Sequence, residues 1–104
     1  MPPVVGESPS IFPPFDFDLS FVCAPDVTAA QLLEVTTAAA EDLLESARVF
    51  DEYRGPGVGA AERALAIRYR LRAPDRTLTN QEVAPVRTAM IEAATRLDCE
   101  LRGA

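Results

Sequence analysis

Strict alternation of apolar and polar residues marks two stretches of this chain. In residues 15–23 the odd positions are apolar, and the even positions carry Asp16, Asp18 and Ser20 before Val22. In residues 64–72 the odd positions are again apolar, and three even positions are arginines. Because successive side chains of a β-strand point to opposite faces, a period of two predicts two strands, each half-buried in a sheet. If the odd positions face the core, the residues facing away are Asp16, Asp18, Ser20, Val22, Ala64, Ala66, Arg68, Arg70 and Arg72.

Two capping boxes predict where helices begin. Thr28 is followed three residues later by Gln31, and Thr79 by Glu82, and in such pairs each side chain binds a backbone amide of the first helical turn. The helices should run to about residues 44 and 97. Pro85 conflicts with a second helix that begins at this cap, since proline lacks an amide donor. The predicted buried stripes are Leu32, Leu33, Val35, Ala39, Leu43 and Leu44 in the first helix, and Val83, Val86, Met90, Ile91, Ala94 and Leu97 in the second.

The remaining segments complete an α+β pattern. Residues 46–53 resemble a strand, although residues 45–48 could equally prolong the first helix. A turn is expected at 54–59, with three glycines and a proline, and a short last strand near 99–102. The order β-α-β-β-α-β predicts a ferredoxin-like fold, in which two helices cover one face of a four-stranded antiparallel sheet and leave the other face open.

The length of 104 residues corresponds to one small domain. Residues 1–14 hold five of the nine prolines, so we expect residues 1–11 to form a proline-rich linker or arm and residues 12–104 the domain. The chain contains no apolar run long enough for a membrane span, and its start lacks the basic and apolar parts of a signal peptide. We therefore expect a cytoplasmic protein.

Composition excludes several chemistries. With no histidine and no lysine, the chain lacks the commonest general base, the commonest metal ligand and the lysine of a phosphate-binding loop. Cys23 and Cys99 alone cannot build a structural zinc site, and in the cytoplasm we expect them to be reduced core residues on neighbouring strands. The composition therefore argues against most catalytic mechanisms and against a structural zinc site in this segment.

Charge is unevenly distributed along the chain. The formal net charge is -6, but residues 1–45 contain eight acidic residues and no arginine, whereas the rest has eight acidic residues and ten arginines. An acidic total argues against nonspecific nucleic-acid binding, while a local arginine cluster could still bind phosphate.

Four stretches of the chain resemble one family. They are FPPFDFDLSFV at 12–22, VFDEYRGPG at 49–57, ALAIRYRLRAPDRTLTNQEV at 64–83 and ELR at 100–102. Together, over about residues 12–102, they resemble the ferredoxin-fold anticodon-binding domain that closes the bacterial phenylalanyl-tRNA synthetase beta subunit. The most specific parts are the run at Phe50, Asp51, Tyr53 and Gly55 and the run from Asp75 to Thr79 that opens the second helix.

The resemblance implies a module that binds the anticodon loop of tRNA-Phe on its open sheet face. By motif position, Ser20 would lie against a base, Asp51 and Tyr53 would hydrogen-bond and stack, and Ala64 would stand where the family usually has serine. Contacts to the RNA backbone would come from Arg68, Arg70, Arg72 and Arg102. The other partners implied are the rest of the beta subunit and the alpha subunit, with ATP and magnesium bound by parts of the synthetase outside this segment, and neither DNA nor a membrane is expected.

Two positions depart from the family pattern, and several readings stay open. Phe17 stands where the family usually has an arginine, and Ala64 lacks the serine hydroxyl. The strand arginines could instead form a solvated face paired with Asp16 and Asp18. The pattern of the second strand does not tell which face Asp51 and Tyr53 occupy. The alternative functions are a protein-interaction or structural module that uses the open face, and a small-molecule-binding regulator.

Overall fold

The computed structural model describes residues 12–56, 58–59 and 61–102. Its elements are β1 (Phe15–Cys23), α1 (Ala29–Ala40), a 3-10 turn (Glu41–Leu43), β2 (Leu44–Tyr53), β3 (Arg63–Leu71), α2 (Asn80–Arg96) and β4 (Cys99–Leu101). The strands form one antiparallel sheet in the order β2-β3-β1-β4, with helices α1 and α2 packed against each other. The predicted ferredoxin-like α+β fold is confirmed. The predicted arm at 1–11 lies outside the described residues.

Strands β1 and β3 form the centre of the sheet. They pair without interruption from Phe15 opposite Leu71 to Cys23 opposite Arg63. Odd positions of both strands supply most of the core, and the even positions point away from the helices, as the alternation predicts. Ala64 also points away from the helices, but unlike the other even positions of these two strands it is buried, with 2% of its surface exposed. The main buried side chains are Leu19, Phe21, Leu32, Leu65, Ile67, Tyr69, Leu71, Met90 and Ala94.

Helix α1 begins at its predicted cap and ends earlier than expected. Both halves of the Thr28–Gln31 capping box are present. The helix stops at Ala40, because Glu41 adopts a left-handed backbone (φ 56°) and β2 begins at Leu44. Prolongation of the helix through residues 45–48 was wrong: all four lie in β2, residues 46–48 pair with β3, and sheet hydrogen bonding overrides local helix propensity. The fully buried helix positions are Leu32, Thr36 and Ala40.

Helix α2 also begins at its capping box and accommodates Pro85. Both bonds of the box between Thr79 and Glu82 form, so the helix starts where the sequence predicts. Pro85 lies within the helix on its exposed side and removes one backbone hydrogen bond there. Burial of Val83, Met90, Ala93 and Ala94 on the opposite side compensates for this loss. Residues Val86, Ile91 and Leu97 of the predicted stripe are only partly buried.

Strand β2 is irregular at two points, and the second decides which side chains reach the open face. Val49 lies opposite Ile67 and packs toward the core, but Asp51 lies opposite Ala66, so Phe50 is an extra residue. A β-bulge of this kind shifts the alternation of the strand by one. Tyr53, opposite Ala64, therefore shares the open face with Asp51.

A buried chain of hydrogen bonds joins β3 to α1. The Tyr69 hydroxyl donates to Thr36 Oγ1 at 2.9 Å, and the Thr36 hydroxyl donates to the Leu32 carbonyl at 2.9 Å. Both side chains are fully buried, and burial raises the pKa of Tyr69 to about 12. Both hydroxyl donors are thus hydrogen-bonded inside an otherwise apolar layer.

Thr36→Val should therefore destabilise the chain more than Tyr69→Phe. The first leaves the tyrosine hydroxyl buried without an acceptor, at a cost of about 1–3 kcal/mol in the free energy of unfolding. The second loses one bond, about 1 kcal/mol, while Thr36 still donates to Leu32. Urea unfolding measures the free energy of unfolding of the original chain, the two single variants and the double variant. The double variant should be less destabilised than the sum of the single ones, and additive losses would contradict the account.

Candidate nucleic-acid interface

The open face brings five of the predicted residues together in two neighbouring rows of the sheet. The sheet register places Asp51 beside Ala66 and Ala66 beside Ser20. The Arg102 amide donates to the Ser20 carbonyl at 2.7 Å, which extends the same row to the end of β4. Tyr53 begins the next row, opposite Ala64. The small side chains of Ser20 and Ala66 thus form a floor between Asp51 on one edge of the sheet and Arg102 on the other.

Tyr53 is held from both sides. Its hydroxyl donates to the Pro56 carbonyl at 2.6 Å, within the turn that follows β2. Gly55 lies beside the tyrosine hydroxyl with φ +134°, a backbone conformation that residues with a side chain rarely adopt, so this position favours glycine. On the sheet, the Arg102 guanidinium lies 4.9 Å from the ring centroid, a cation–π contact.

Ala64 is buried on the open face, beside the contact between Tyr53 and Arg102. The two side chains come from opposite edges of the sheet and meet above its central strands. Ala64 lies opposite Tyr53, beneath this pair, and is 2% exposed. The sequence pattern placed Ala64 on the accessible face; the structure puts it on that face but under cover, so a ligand cannot touch it in this conformation.

Phe50 is a member of the open face that the sequence pattern did not single out. Its ring is 41% exposed, and the Arg68 guanidinium lies 4.8 Å from the ring centroid. In a regular strand Phe50 and Asp51 would point to opposite faces. The bulge turns both outward, and the only sequence signal for this position is its place in the family run that continues to Tyr53.

Arg68 and Arg70 of β3, and Arg72 directly after it, are paired with acidic residues. Arg68 makes two bonds to Asp18, of 2.9 and 3.1 Å, and Arg70 makes two bonds to Asp16, both of 2.9 Å. The Nε atom of Arg72 lies 2.5 Å from a carboxylate oxygen of Glu45. The expected basic stripe is therefore a row of ion pairs, which is the alternative that the sequence left open.

These pairs change the acidity of the carboxylates. The hydrogen bonds from Arg70 hold the pKa of Asp16 below its usual value, and those from Arg68 do the same for Asp18. Both carboxylates are therefore ionised well below neutral pH. Each pair remains more than two-fifths exposed, so its contribution to stability is modest.

The described part of the chain lacks two other features, a cluster of metal-ligating side chains and a membrane-spanning helix. Among residues 12–56, 58–59 and 61–102, no three His, Cys, Asp or Glu side chains are grouped so that they could hold a metal ion. None of the helices in those residues combines the length and apolar character that a membrane crossing needs.

Comparison with known proteins gives one consistent result. The sequence model of one protein family, the ferredoxin-fold anticodon binding domain, matches residues 10–102. The phenylalanine-tRNA ligase beta subunit of Synechococcus sp. is 42% identical over 94 residues, which cover 89% of this chain and 11% of that protein. The same subunit of Symbiobacterium thermophilum is 43% identical over 91 residues, covering 88% of this chain and 10% of the relative. The chain thus spans about a tenth of the length of these relatives.

The carboxylate pairs predict a specific pH dependence of stability. The folded-state pKa values of Asp16 and Asp18 are lowered. The contribution of their ion pairs to the free energy of unfolding is therefore complete above the unfolded pKa of 3.8, and it disappears as pH falls through the folded values. The variant Asp16→Asn/Asp18→Asn should be less stable than the original chain at pH 7, by about 0.5 kcal/mol per pair. As pH falls through the lowered folded values, the stabilities of the two proteins should converge.

Urea unfolding between pH 2.5 and 7 measures this difference. Glu92→Gln is the matched control, since Glu92 is an exposed carboxylate on α2 outside the ion pairs of the open face. Its difference from the original chain should not follow the same pH course. A constant gap between the double variant and the original chain over the whole range would contradict the lowered pKa values.

Proposed function

The chain belongs to the ferredoxin-fold anticodon binding domain family, and we propose that its open sheet face binds the anticodon loop of tRNA-Phe. One observation carries the proposal. The bulge at Phe50 turns Asp51 and Tyr53 to the same face as Ser20, and these are three of the positions that the family resemblance assigns to base contacts. The face therefore offers an aromatic ring, a carboxylate and a small polar floor within neighbouring rows of the sheet.

The chemistry of this face suits unpaired bases. Bases of a single-stranded loop can splay out, stack on aromatic side chains and hydrogen-bond along their edges. Phe50 and Tyr53 provide two rings, and a stack on such a ring contributes about 1–3 kcal/mol. The carboxylate of Asp51 is an acceptor for amino and imino groups of a base, whereas it would repel a phosphate.

Phosphate contacts on this face require exchange. Arg68 and Arg70 would have to leave Asp18 and Asp16 to bind a phosphate, so the net gain from each is small. The guanidinium of Arg102 lies against one face of the Tyr53 ring, so a base that stacks on that face would displace it. Arg102 would then be available to the RNA backbone. We therefore expect weak binding by this chain alone, with base contacts supplying most of the selectivity.

The domain would act by docking. We propose that it is a noncatalytic part of a phenylalanine-tRNA ligase beta chain in the cytoplasm, alongside the rest of that chain and the alpha subunit. Holding the anticodon loop would orient the tRNA so that its acceptor end reaches a distant catalytic centre, and ATP and magnesium would be bound there. Among the described residues, none is required to do chemistry for this role.

A protein partner is the second candidate for the open face. The observation that favours it is the pairing of Arg68, Arg70 and Arg72 with acidic residues, because RNA-binding faces usually carry unpaired positive charge. A largely neutral face with an exposed Phe50 suits contact with another domain. RNA titration separates the two candidates.

Tyr53→Ala should lower the affinity of the 104-residue chain for the anticodon stem-loop of tRNA-Phe by about tenfold, because it removes one stacking surface. Tyr53→Phe keeps the ring and loses only the bond to Pro56, so its affinity should stay within about threefold of the original. Fluorescence anisotropy with a labelled stem-loop measures both, and circular dichroism checks folding.

A second control lies on the opposite side of the molecule. Arg87→Ala removes an exposed charge on α2 and should change affinity little. A stem-loop with a changed anticodon should bind more weakly than the cognate one. Equal binding by Tyr53→Ala and the original chain would overturn the stacking role, and no binding by any folded variant would favour the protein partner.

A further inference from the structure

Two cysteines lie side by side in the core, outside the proposed RNA-binding face. Cys23 ends β1 and Cys99 begins β4, and the two are direct partners in the sheet. Both are fully buried thiols, and their sulfur atoms are 3.1 Å apart. They are 76 positions apart in the chain. The expectation that both are core residues on neighbouring strands is confirmed, and the distance between the sulfur atoms gives the pair a further property.

The backbone around the pair has the geometry that a cross-strand disulfide needs. The Ala24 amide donates to the Asp98 carbonyl at 3.2 Å, and the Arg102 amide donates to Ser20. Hydrogen-bonded and non-hydrogen-bonded pairs alternate along an antiparallel ladder, so Cys23 and Cys99 occupy a non-hydrogen-bonded pair. Their Cα atoms are then about 4.5 Å apart, within the range of about 4.4–6.8 Å found for disulfides. A bond would require the sulfur atoms to approach by about 1 Å.

We propose that Cys23 and Cys99 are a site of reversible oxidation, at which a small disulfide such as oxidised glutathione converts the two thiols into a cross-strand disulfide. One cysteine thiolate attacks a sulfur of oxidised glutathione, forming a mixed disulfide and releasing one glutathione. The second cysteine thiolate attacks the protein sulfur of that mixed disulfide and releases the second glutathione. The protein loses two electrons, the glutathione disulfide gains them, and the two thiol protons end on the released glutathiones.

Burial makes the pair slow to react and explains why it rests as thiols. Removal from water raises the pKa of both cysteines, that of Cys99 to about 12, so both are neutral at pH 7. Access comes through β4, which is only three residues long and forms an edge of the sheet. Local opening of such a short edge strand exposes Cys99, and its return brings the mixed disulfide back to Cys23.

The bond would fix the edge of the sheet that carries Arg102. β4 is held to β1 by three residue pairs, and Arg102 follows directly after it. A covalent link at Cys99 would prevent β4 from leaving β1 and so keep Arg102 beside Ser20. Oxidation would therefore stiffen one side of the open face without covering it.

The test is oxidation of the 104-residue chain with excess glutathione disulfide at pH 8, followed by alkylation of the remaining thiols with iodoacetamide and intact mass spectrometry. The expected product is a monomer lighter by two hydrogen atoms, without alkyl or glutathione groups. Its thermal midpoint should rise by about 10 °C, because the link closes a long loop in the unfolded chain. Dithiothreitol should reverse both changes.

Single variants and a second condition make the outcome decisive. Cys23→Ser and Cys99→Ser each keep one thiol and should show no rise in thermal midpoint after the same treatment. The oxidation is repeated in urea near the unfolding midpoint, and the urea is then removed in the same redox buffer. Under this condition glutathione disulfide can reach the two thiols, which are buried in the folded chain. The proposal would be overturned if the main product in both conditions carried two alkylated thiols or retained glutathione adducts, or was a linked dimer. A disulfide that lowers the thermal midpoint would also overturn it.

Discussion

The register between β1 and β3 is the constraint on which the other parts of the structure depend. Nine consecutive residue pairs, from Phe15–Leu71 to Cys23–Arg63, place every odd side chain of these strands toward the helices. A slip by one residue would turn the charged even positions into the apolar layer and leave them without water. The same ladder sets Asp16 beside Arg70 and Asp18 beside Arg68, and it provides the edges on which β2 and β4 pair.

The open face gains its distinctive residues where this regularity is interrupted. The bulge at Phe50 places the Phe50 ring and the Asp51 carboxylate on the same face of the sheet. Both lie next to the floor formed by the small side chains of Ser20 and Ala66. Tyr53 and Arg102 then reach toward each other from opposite edges. Function in this account depends on a local irregularity in an edge strand, held in place by a regular centre.

Much of this arrangement could be predicted from the sequence, because local patterns determine it. The two alternating strands and the two capping boxes are short-range signals, and each identified its element. The bulge was not predictable from alternation alone, since an extra residue is recognised only against its partner strand. The contact between Tyr53 and Arg102 was not predictable from alternation either, because it joins residues from opposite edges of the sheet. The ion pairs follow directly once β1 and β3 are set in register.

The most direct test of the account is where RNA touches the folded chain. Adding the anticodon stem-loop of tRNA-Phe to the ¹⁵N-labelled chain and recording amide chemical shifts gives this map. Binding at the open face predicts the largest changes at Ser20, Asp51, Tyr53 and Ala66, with little change along α1 and α2. Changes confined to the helices, or no changes at saturating stem-loop, would contradict it.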